Sequence, residues 1–467
     1  MGEPHYDVLL IGAGPAGYVG ALRAAQLGLK VALIEAKRRG GVCLNWGCIP
    51  TKSLLQSADV YRTARNAETF GIHCAEIDFD VKKMVHRSRA VIKQLRNGIA
   101  HLLRKNNVSV LDGRGRLLGE QRVGISHSEA RETFVSASHI VLASGARPRT
   151  LAGIQPDHKK IWTSRDALTP EAIPESLLVI GSGAIGMEFA SFYSTFGSKV
   201  TVVEILDQIL PAEDATVAGA AQKQFERQGI RFLLRSRVTA LRPDGAGVTV
   251  DIDHNGQSLS LPADRVILCV GVVPNVDGLG IEIAGVGLDE TGFVQIDNRC
   301  RTTAAGIYAV GDVAGGPCLA HKASHEAIHC IDHIAGCGTA EGFDRTAVPG
   351  CVYSHPQIAR VGLSERQAIA AGHDIRVGMF PAKGNGKALI LDETEGLVKT
   401  VFDACSGELL GAHIVGPDAS EMIQGFVVAR QLETTELDLM KTVFPHPTLS
   451  EMLPEAVLSA YGRGLHS

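Results

Sequence analysis

Residues 8–35 read VLLIGAGPAGYVGALRAAQLGLKVALIE, a stretch in which a glycine-rich segment and a helical segment separate two apolar runs. The first run, Val8–Ile11, predicts a buried strand. The second, Val31–Ile34, predicts another strand, which ends at Glu35. Strand, glycine-rich turn, helix and strand in this order predict a βαβ unit.

The same pattern occurs a second time. Residues 177–204 read LLVIGSGAIGMEFASFYSTFGSKVTVVE, and Gly181 is as far from Glu204 as Gly12 is from Glu35. One copy of GxGxxG is a weak signal, because a glycine-rich loop can serve packing alone. Two copies, each between a strand and a helix and each followed by an acid at the end of the next strand, are a strong signal. The sequence therefore predicts two dinucleotide-binding units.

The glycines of each unit have separate physical roles. The first allows a tight turn, the second lets the backbone approach a pyrophosphate, and the third lets the helix pack against the strand. The pyrophosphate then lies at a helix N-terminus, where free N–H groups favour an anion. The predicted cofactor-binding glycines are Gly12, Gly14 and Gly17 in the first unit, and Gly181, Gly183 and Gly186 in the second.

If the second unit binds a nicotinamide dinucleotide, the acid that ends this unit indicates which form fits. Glu204 is followed at residues 205–210 by Ile, Leu, Asp, Gln, Ile and Leu, with no Arg or Lys. A carboxylate accepts hydrogen bonds from ribose hydroxyls, whereas a 2′-phosphate requires a cationic partner. The pattern therefore favours NAD over NADP.

Bulk properties limit the class of protein. A chain of 467 residues is too long for one hydrophobic core, so we expect about three or four domains. The net charge of -4 provides no basic field, which argues against nucleic acid as a partner. We see no apolar run long enough to span a membrane and no targeting segment before Val8. The expected location is the cytoplasm, without membrane partners.

Residues 40–52, GGVCLNWGCIPTK, contain two of the ten cysteines. Four residues separate Cys43 from Cys48, enough for a turn that brings the sulfurs together. Pro50 suits the first turn of a helix, so Cys48 is expected at a helix N-terminus, with Lys52 one turn further on. Both features favour a thiolate and hence a reactive disulfide.

Two other interpretations of this pair stay open at this point. Close cysteines can bind zinc, although zinc pairs are usually more closely spaced and no second Cys or His pair is nearby. The pair could also be inert core thiols. The other cysteines lie in unrelated contexts and are interpreted as buried or incidental thiols: Cys74, Cys269, Cys300, Cys318, Cys330, Cys337, Cys351 and Cys405.

Three further segments have clear patterns. Apolar side chains at helical spacing predict a long amphipathic helix over residues 81–105. A second helical stretch is expected at residues 322–335. Between residues 346 and 435, Gly396, Gly407 and Gly411 are expected to mark turns.

These motifs together resemble those of the flavoprotein disulfide reductases. The resemblance covers essentially the whole chain and includes GGVCLNWGCIPTK, both glycine-rich repeats, residues 307–312 (IYAVGD) and residues 446–451 (HPTLSE). Within this family, Cys-Ile-Pro-Thr-Lys is more similar to the dihydrolipoamide dehydrogenases, the E3 components of 2-oxo acid dehydrogenase complexes, than to the glutathione reductases.

The resemblance implies an α/β fold with two doubly wound, Rossmann-like nucleotide-binding domains. The implied domains are an FAD-binding domain with the redox disulfide (1–147), an NAD-binding domain (148–272), a central domain that completes the FAD site (273–345) and a C-terminal α/β dimerisation domain (346–467). The implied cofactors are FAD at the first repeat and NAD at the second.

It also implies a role for individual residues. Cys43 exchanges with substrate, and Cys48 faces the flavin. Lys52 lies near the flavin and pairs with Glu188, and Glu35 binds the FAD ribose. Asp312 contacts the ribityl chain of FAD, and Gly115 and Ala320 supply backbone contacts to FAD. The other implied cofactor-binding positions are Ser144, Gly145, Val238 and Gly271.

The implied acid/base is His446 from the partner subunit, oriented by Glu451. From the residues alone, Thr448 and Glu451 also fit a capping box that opens the last helix, and we expect one carboxylate to serve only one of these roles fully. Phe444 stands where many members have a second histidine. Trp46 is bulkier than usual, and the sequence does not show whether it controls access to Cys43 or packs against FAD.

The implied activity is oxidation of dihydrolipoamide to lipoamide with reduction of NAD+. The implied partners are a second copy of the chain, in a homodimer, and the lipoyl domains of an E2 acyltransferase or a glycine-cleavage H protein. No metal is implied. The alternatives are another flavoprotein reductase, acting on glutathione disulfide or a metal ion, and a mainly structural subunit of a complex.

Overall fold

The computed structural model describes residues 3–127, 131–245, 247–339 and 341–466. The strands are β1 (His5–Ile11), β2 (Val31–Glu35), β3 (Ser109–Asp112), β4 (Arg114–Gly119), β5 (Arg122–Ser126), β6 (Glu132–Leu142), β7 (Ala146–Pro148), β8 (Ile161–Thr163), β9 (Ser176–Ile180), β10 (Lys199–Val203), β11 (Arg231–Leu233), β12 (Ser236–Pro243), β13 (Val248–His254), β14 (Gln257–Ala263), β15 (Arg265–Leu268), β16 (Val272–Pro274), β17 (Ile307–Ala309), β18 (Gly350–Val352), β19 (Gln357–Gly362), β20 (Ile375–Pro381), β21 (Leu397–Asp403) and β22 (Leu409–Gly416). The α-helices are α1 (Pro15–Gln26), α2 (Gly41–Trp46), α3 (Cys48–Arg65), α4 (Val81–Lys105), α5 (Ala184–Thr195), α6 (Ala215–Arg227), α7 (Ile281–Ala284), α8 (Ala320–Ile334), α9 (Glu365–Ala370), α10 (Gly386–Leu391), α11 (Ala419–Met422), α12 (Gln424–Gln431), α13 (Glu436–Lys441) and α14 (Met452–Ala460).

The chain divides into two compact units, each assembled from segments that are distant in sequence. Unit 1 consists of Met1–Ser53, Val85–Arg149 and Val272–Arg345. Unit 2 consists of Leu54–Met84, Thr150–Gly271 and Thr346–Ser467. The division into four domains that the resemblance implies stays a prediction.

The main sheet of unit 1 has the order β3-β2-β1-β6-β5-β4, with β17 also paired with β6, and β7 pairs with β16 in a separate two-stranded antiparallel sheet. Strands β1, β2, β3, β6 and β17 pair in parallel, whereas β4, β5 and β6 pair antiparallel. Strands β1 and β2 are buried apolar runs, as expected for central parallel strands. Helices α1 and α8 pack together: Arg23 Nε lies 2.6 Å from Asp332 Oδ1, and a Cβ at Gly20 would be 3.4 Å from the Ala327 Cβ.

The described residues of unit 2 form three sheets. The first is parallel, with the order β11-β10-β9-β15-β8, and the second is the antiparallel meander β12-β13-β14. The third, antiparallel, has the order β18-β19-β22-β21-β20. Phe189, Phe192 and Tyr193 of α5 are fully buried in its largest core, where each aromatic ring contributes about 1.5–3 kcal/mol through burial of apolar area. The predicted α/β fold class with two doubly wound nucleotide-binding domains is confirmed.

Local predictions can be compared with the observed elements. The predicted long helix over residues 81–105 is confirmed as α4, and the second predicted helix is confirmed as α8, which starts slightly earlier. The turn at Gly411 is wrong, because this residue lies inside β22. A Cβ there would be 2.0 Å from the carbonyl oxygen of Leu363, so this glycine permits a close approach of two chain segments. No helix in the described part of the chain is long and apolar enough to cross a membrane.

His355 in unit 2 gives the stability of the fold a pH dependence. Burial lowers the pKa of His355 to about 4, and the positive charge of Arg62 acts in the same direction. The folded protein keeps this imidazole neutral, whereas the unfolded chain takes up a proton below about pH 6.5. The unfolded state therefore binds more protons between about pH 6.5 and 4, and stability falls as the pH falls through this range.

We expect His355→Gln to lose less stability than the wild type between pH 7.5 and 5. The difference in the free energy of unfolding should be about 2 kcal/mol at pH 5, from the proton that only the unfolded wild type binds. Thermal midpoints at the two pH values measure this difference, and the control is His127→Gln, a change in unit 1. An equal decrease in the wild type and His355→Gln would contradict the prediction.

Candidate active site

Cys43 and Cys48 form a disulfide in unit 1, and their Cα atoms are 4.7 Å apart. Cys43 lies in the short helix α2, and Cys48 is the first residue of the eighteen-residue helix α3. Gly47 joins the two helices, with a φ of -144° and a ψ of -111°. The pairing excludes the two alternatives left open by the sequence, a zinc pair and two inert thiols, because both sulfurs are used in one covalent bond.

Side chains that the sequence did not single out hold the disulfide segment in place. Asn45 is 1% exposed, and its Nδ2 donates to the carbonyl oxygens of Arg39 (3.0 Å) and Gly41 (2.9 Å). Arg89 of α4 donates to the Asn45 carbonyl oxygen at 3.1 Å. Gly41 has a φ of +60°, and a Cβ there would be 2.5 Å from the Cα of Gly14. The disulfide segment therefore packs directly on the first glycine-rich loop.

The surroundings of Cys48 differ from those of two half-buried free thiols, Cys269 and Cys318. Cys48 lies at the N-terminus of α3, where the helix dipole favours a thiolate, and Lys52 follows one turn later. By contrast, burial raises the pKa of Cys269 to about 12, and burial followed by the charge of Asp312 raises the pKa of Cys318 to about 11. These two thiols stay protonated at neutral pH.

Among the described residues, no group of three or more His, Cys, Asp and Glu side chains is arranged to hold a metal ion.

The first glycine-rich loop is fastened to the end of β2 by Glu35. Its Oε2 accepts from the Ala13 N–H at 2.8 Å, and its Oε1 accepts from the Lys37 N–H at 2.7 Å. A carboxylate has about four lone-pair positions, so capacity remains for the hydroxyls of a ribose. Glu35 therefore both shapes the loop and can bind the predicted FAD ribose.

Other predicted cofactor-binding residues lie around this loop in unit 1. The buried Oγ of Ser144 has no hydrogen-bond partner within the described residues, as expected for a group that binds a polar ligand. Asn275 fastens the same turn, because its Nδ2 donates to the Ser144 carbonyl and its N–H to the Gly145 carbonyl, both at 2.9 Å. A Cβ at Gly115 would lie 3.1 Å from Ile11, at the end of β1.

Both glycine-rich loops fit a pyrophosphate. Helices α1 and α5 begin at these loops, and neither N-terminus has a side-chain cap, so main-chain N–H groups remain to bind an anion. A Cβ at the third glycine would overlap the carbonyl oxygen of the first, at 1.7 Å for Gly17 and 2.1 Å for Gly186. Among the described residues, no atom lies within 4 Å of a Cβ built on Gly183. The second glycine of the second loop therefore borders open space, where the pyrophosphate is expected.

The second loop, in unit 2, repeats the arrangement of the first. The Glu204 side chain is buried, and its Oε2 accepts from the N–H of Ser182 at 2.8 Å and from its Oγ at 2.7 Å. Val238 is buried in a hydrophobic cluster that includes side chains of β9, β10 and β15. Gly271 follows β15 with a φ of +95°. Their predicted contacts with a cofactor stay predictions.

Lys52 and Glu188 belong to different units. Glu188, in α5, is 4% exposed, and its Oε1 accepts from the Tyr353 N–H at 3.1 Å within unit 2. The pairing of Lys52 with Glu188 that the resemblance implies stays a prediction.

Asp312 and Ala320 flank a tightly built part of unit 1. Asp312 lies in the 3₁₀ turn Gly311–Ala314, and Ala320 is the first residue of α8. Burial raises the pKa of Asp312, and the positive charge of Lys322 opposes this effect. Lys322 and Glu326, which contact the turn, were not among the predicted site residues. Their only signal in the sequence is a Lys and a Glu one helical turn apart.

His446 and Glu451 form a hydrogen-bonded pair in unit 2. His446 Nδ1 lies 2.9 Å from Glu451 Oε1, and the His446 side chain is 79% exposed. Glu451 Oε2 accepts from the Thr448 N–H at 2.8 Å, as in a capping box. The expectation that one carboxylate serves only one of these roles is wrong, because each oxygen serves one. Burial alone would raise the pKa of Glu451, but the Thr448 and His446 hydrogen bonds lower it, which keeps the carboxylate ionised.

Comparison with known proteins gives consistent full-length matches. The chain is 50% identical over 463 residues to the dihydrolipoyl dehydrogenase of Zymomonas mobilis, covering 99% of both chains. It is 39% identical over 471 residues to the Bacillus subtilis protein of the same name, again covering 99% of both. The crystal structure of LpdA from Mycobacterium tuberculosis superposes with a TM-score of 0.91 at 30% identity, covering 97% of this chain and 99% of that one.

Two family domains account for most of the chain. Residues 6–327 match the pyridine nucleotide-disulphide oxidoreductase domain. Residues 348–457 match the dimerisation domain of the same family, which supports a homodimer. The disulfide at the start of α3, the two dinucleotide loops and these matches agree. The chain belongs to the pyridine nucleotide-disulphide oxidoreductase family.

Proposed function

We propose that the protein oxidises dihydrolipoamide to lipoamide with reduction of NAD+. The observation that carries this function is the Cys43–Cys48 disulfide, which lies at the N-terminus of α3 and packs on the first dinucleotide loop. The full-length relatives named dihydrolipoyl dehydrogenase support the choice of substrate. FAD and NAD are the cofactors, and the uncapped N-termini of α1 and α5 fit their pyrophosphates.

The protein's own residues carry out a thiol–disulfide exchange. His446 of the partner subunit takes a proton from one substrate thiol, and the resulting thiolate attacks the Cys43 sulfur. The Cys43–Cys48 bond breaks, a substrate–Cys43 disulfide forms, and Cys48 leaves as a thiolate. The second substrate thiol then displaces Cys43, which closes the oxidised cyclic disulfide and leaves the enzyme reduced by two electrons.

Each charged group has a defined part in this exchange. The N-terminus of α3 and Lys52 stabilise the Cys48 thiolate. Glu451 orients the imidazole through the Nδ1 contact at 2.9 Å, so that the other ring nitrogen can hold the proton. The chemistry that FAD supplies when bound is the passage of an electron pair from the enzyme dithiol to NAD+.

The wider setting follows from this reaction. The enzyme works as a homodimer, because each site takes Cys43 from one subunit and His446 from its partner. Its protein partners are the lipoyl domains of an E2 acyltransferase or a glycine-cleavage H protein, which carry the dithiol. The reaction belongs in the cytoplasm, where thiols are kept reduced.

Steady-state assays of the purified FAD-containing protein test the proposed function. We expect NADH formation from NAD+ and dihydrolipoamide, with little turnover of glutathione disulfide by NADPH. The opposite preference would overturn the assignment, because the chain would then be a different reductase of the same family. Absence of bound flavin would instead favour a structural role.

The nucleotide preference is a separate prediction, and it depends on Glu204. A carboxylate beside the ribose repels a 2′-phosphate by about 2–4 kcal/mol, which corresponds to a preference of roughly 30- to 1000-fold in kcat/KM for NAD+ over NADP+. We expect Glu204→Gln to reduce this ratio at least fivefold. The control is Glu226→Gln, which removes an exposed carboxylate from α6. An unchanged ratio of kcat/KM for NAD+ over NADP+ in Glu204→Gln would show that this carboxylate does not determine the nucleotide preference.

A further inference from the structure

A buried ion cluster in unit 1 fastens the turn that carries Asp312. Lys322 Nζ donates to the carbonyl oxygens of Gly311 (3.1 Å) and Gly315 (2.9 Å) and lies 2.8 Å from Glu326 Oε2. The same carboxylate oxygen accepts from the Gly311 N–H at 2.6 Å. Lys322 and Glu326 therefore hold both ends of the turn.

Arg345 completes the cluster. Its Nη2 lies 2.9 Å from Glu326 Oε1 and 3.3 Å from the carbonyl oxygen of Ala314, the last residue of the turn. The side chains of Lys322 and Glu326 are 0% and 1% exposed, whereas that of Arg345 is 38% exposed. Three partners account for all three ammonium protons of Lys322, and both carboxylate oxygens of Glu326 are engaged.

Such a network is not an efficient source of stability. Removing two charges from water is expensive, and apolar side chains of the same size often stabilise a fold equally well. A fully satisfied buried network does fix the local geometry, because each of its hydrogen bonds is strong in a low dielectric. The arrangement therefore suits a segment whose position must be defined within a fraction of an ångström.

The turn also packs against α1, the helix that starts at the first glycine-rich loop. A Cβ built on Gly311 would lie 3.2 Å from the Cβ of Ala16 and 3.3 Å from that of Ala323. Ala16 belongs to the first turn of α1, which starts at the loop, and Ala323 belongs to α8. The turn, α1 and α8 are thus packed as one body on the side of unit 1 where FAD is expected.

We propose that Lys322, Glu326 and Arg345 are positioning residues for FAD. They hold the turn that carries Asp312 in the position that FAD binding requires. This inference rests on the proposed function, because the resemblance assigns Asp312 to the ribityl chain. The cluster itself does not touch the reacting atoms. Its loss should therefore weaken and disorder the cofactor site rather than remove a chemical group from the reaction.

Cofactor affinity and flavin spectra of purified variants test the proposal. Lys322→Met keeps the apolar stem and removes the ammonium, and Glu326→Gln keeps the shape and removes the charge. Arg345→Gln is a milder change at a partly exposed position, so it decides the test if the other two variants fail to fold. The control is Lys399→Met in unit 2, which breaks an equally buried cluster with Asp214 and Glu365.

We expect the Kd for FAD of the FAD-free protein to rise at least tenfold in Lys322→Met and Glu326→Gln, and at least threefold in Arg345→Gln. The flavin absorbance bands should also broaden or shift. Lys399→Met should lower the thermal midpoint and leave both readouts unchanged. Lys322→Arg should restore affinity to within about threefold of the wild type.

FAD affinity and flavin spectra equal to those of the wild type in the folded variants would overturn the proposal. An equal loss of affinity in Lys399→Met would also overturn it, because the effect would then follow general destabilisation. The proposed function fails in a different way, namely if the wild-type protein binds FAD tightly but does not oxidise dihydrolipoamide. In that case the positioning result can still be measured.

Discussion

Replacing Cys43 or Cys48 with serine is expected to reduce the oxidation of dihydrolipoamide by NAD+ at least about 10⁴-fold, because each variant lacks one of the two sulfurs between which the exchange takes place. A serine hydroxyl is neither a leaving group nor an acceptor for this reaction. The side chains are similar in size, so the packing of Asn45, Arg89 and the first glycine-rich loop should persist. FAD should therefore remain bound.

Two readouts separate loss of chemistry from loss of structure. Reduction of an artificial dye by NADH needs the nicotinamide and flavin sites but not the disulfide, and it should stay within about threefold of the wild type. Cys405→Ser is the matched control, because it changes an exposed thiol in unit 2 and should leave both activities unchanged. Normal lipoamide turnover in either Cys43→Ser or Cys48→Ser would contradict the assignment.

Replacing His446 with glutamine is expected to lower the same activity about 10²- to 10⁴-fold, the usual contribution of a general acid/base. Glutamine keeps a polar side chain but cannot accept the substrate proton. Glu451→Gln should have a smaller effect, about 10- to 100-fold, because it removes the group that orients the imidazole at 2.9 Å but leaves the imidazole itself. The NADH-dependent reduction of a dye should change little in either variant.

The chain contains a closely matched control for this pair. His466 Nδ1 lies 2.7 Å from Glu455 Oε1, and the His466 side chain is 68% exposed, compared with 79% for His446. His466→Gln therefore removes a histidine of similar geometry and exposure. We expect it to keep normal turnover. Equal losses in His446→Gln and His466→Gln would show that the effect is structural.

Local patterns predict the elements that create the site. The glycine-rich segments beginning at Gly12 and Gly181 lie between strand and helix as their spacing indicates, because the geometry of such a loop is encoded within a few residues. Cys48 begins α3 for the same reason, since Pro50 favours the first turn of a helix. The helical spacing of apolar side chains over residues 81–105 likewise predicts α4.

Contacts between distant segments could not be predicted from local patterns. The buried role of Lys322 and Glu326 depends on Arg345 and on the main chain of Gly311, and no local period links these positions. Segment 54–84 joins unit 2 because buried side chains such as Leu54 pack into its core. Glu451 combines capping with an imidazole contact because its two oxygens point to different partners.

The most direct test of the proposed function is anaerobic titration of the purified FAD-containing protein with dihydrolipoamide. We predict that one equivalent changes the flavin spectrum and produces the long-wavelength absorbance of a thiolate in contact with oxidised flavin, which Cys48→Ser should lack. NAD+ added afterwards should restore the original spectrum and yield NADH. If dihydrolipoamide leaves the spectrum unchanged while NADH still reduces the flavin, the Cys43–Cys48 disulfide does not accept electrons from this substrate, and the proposed function is wrong.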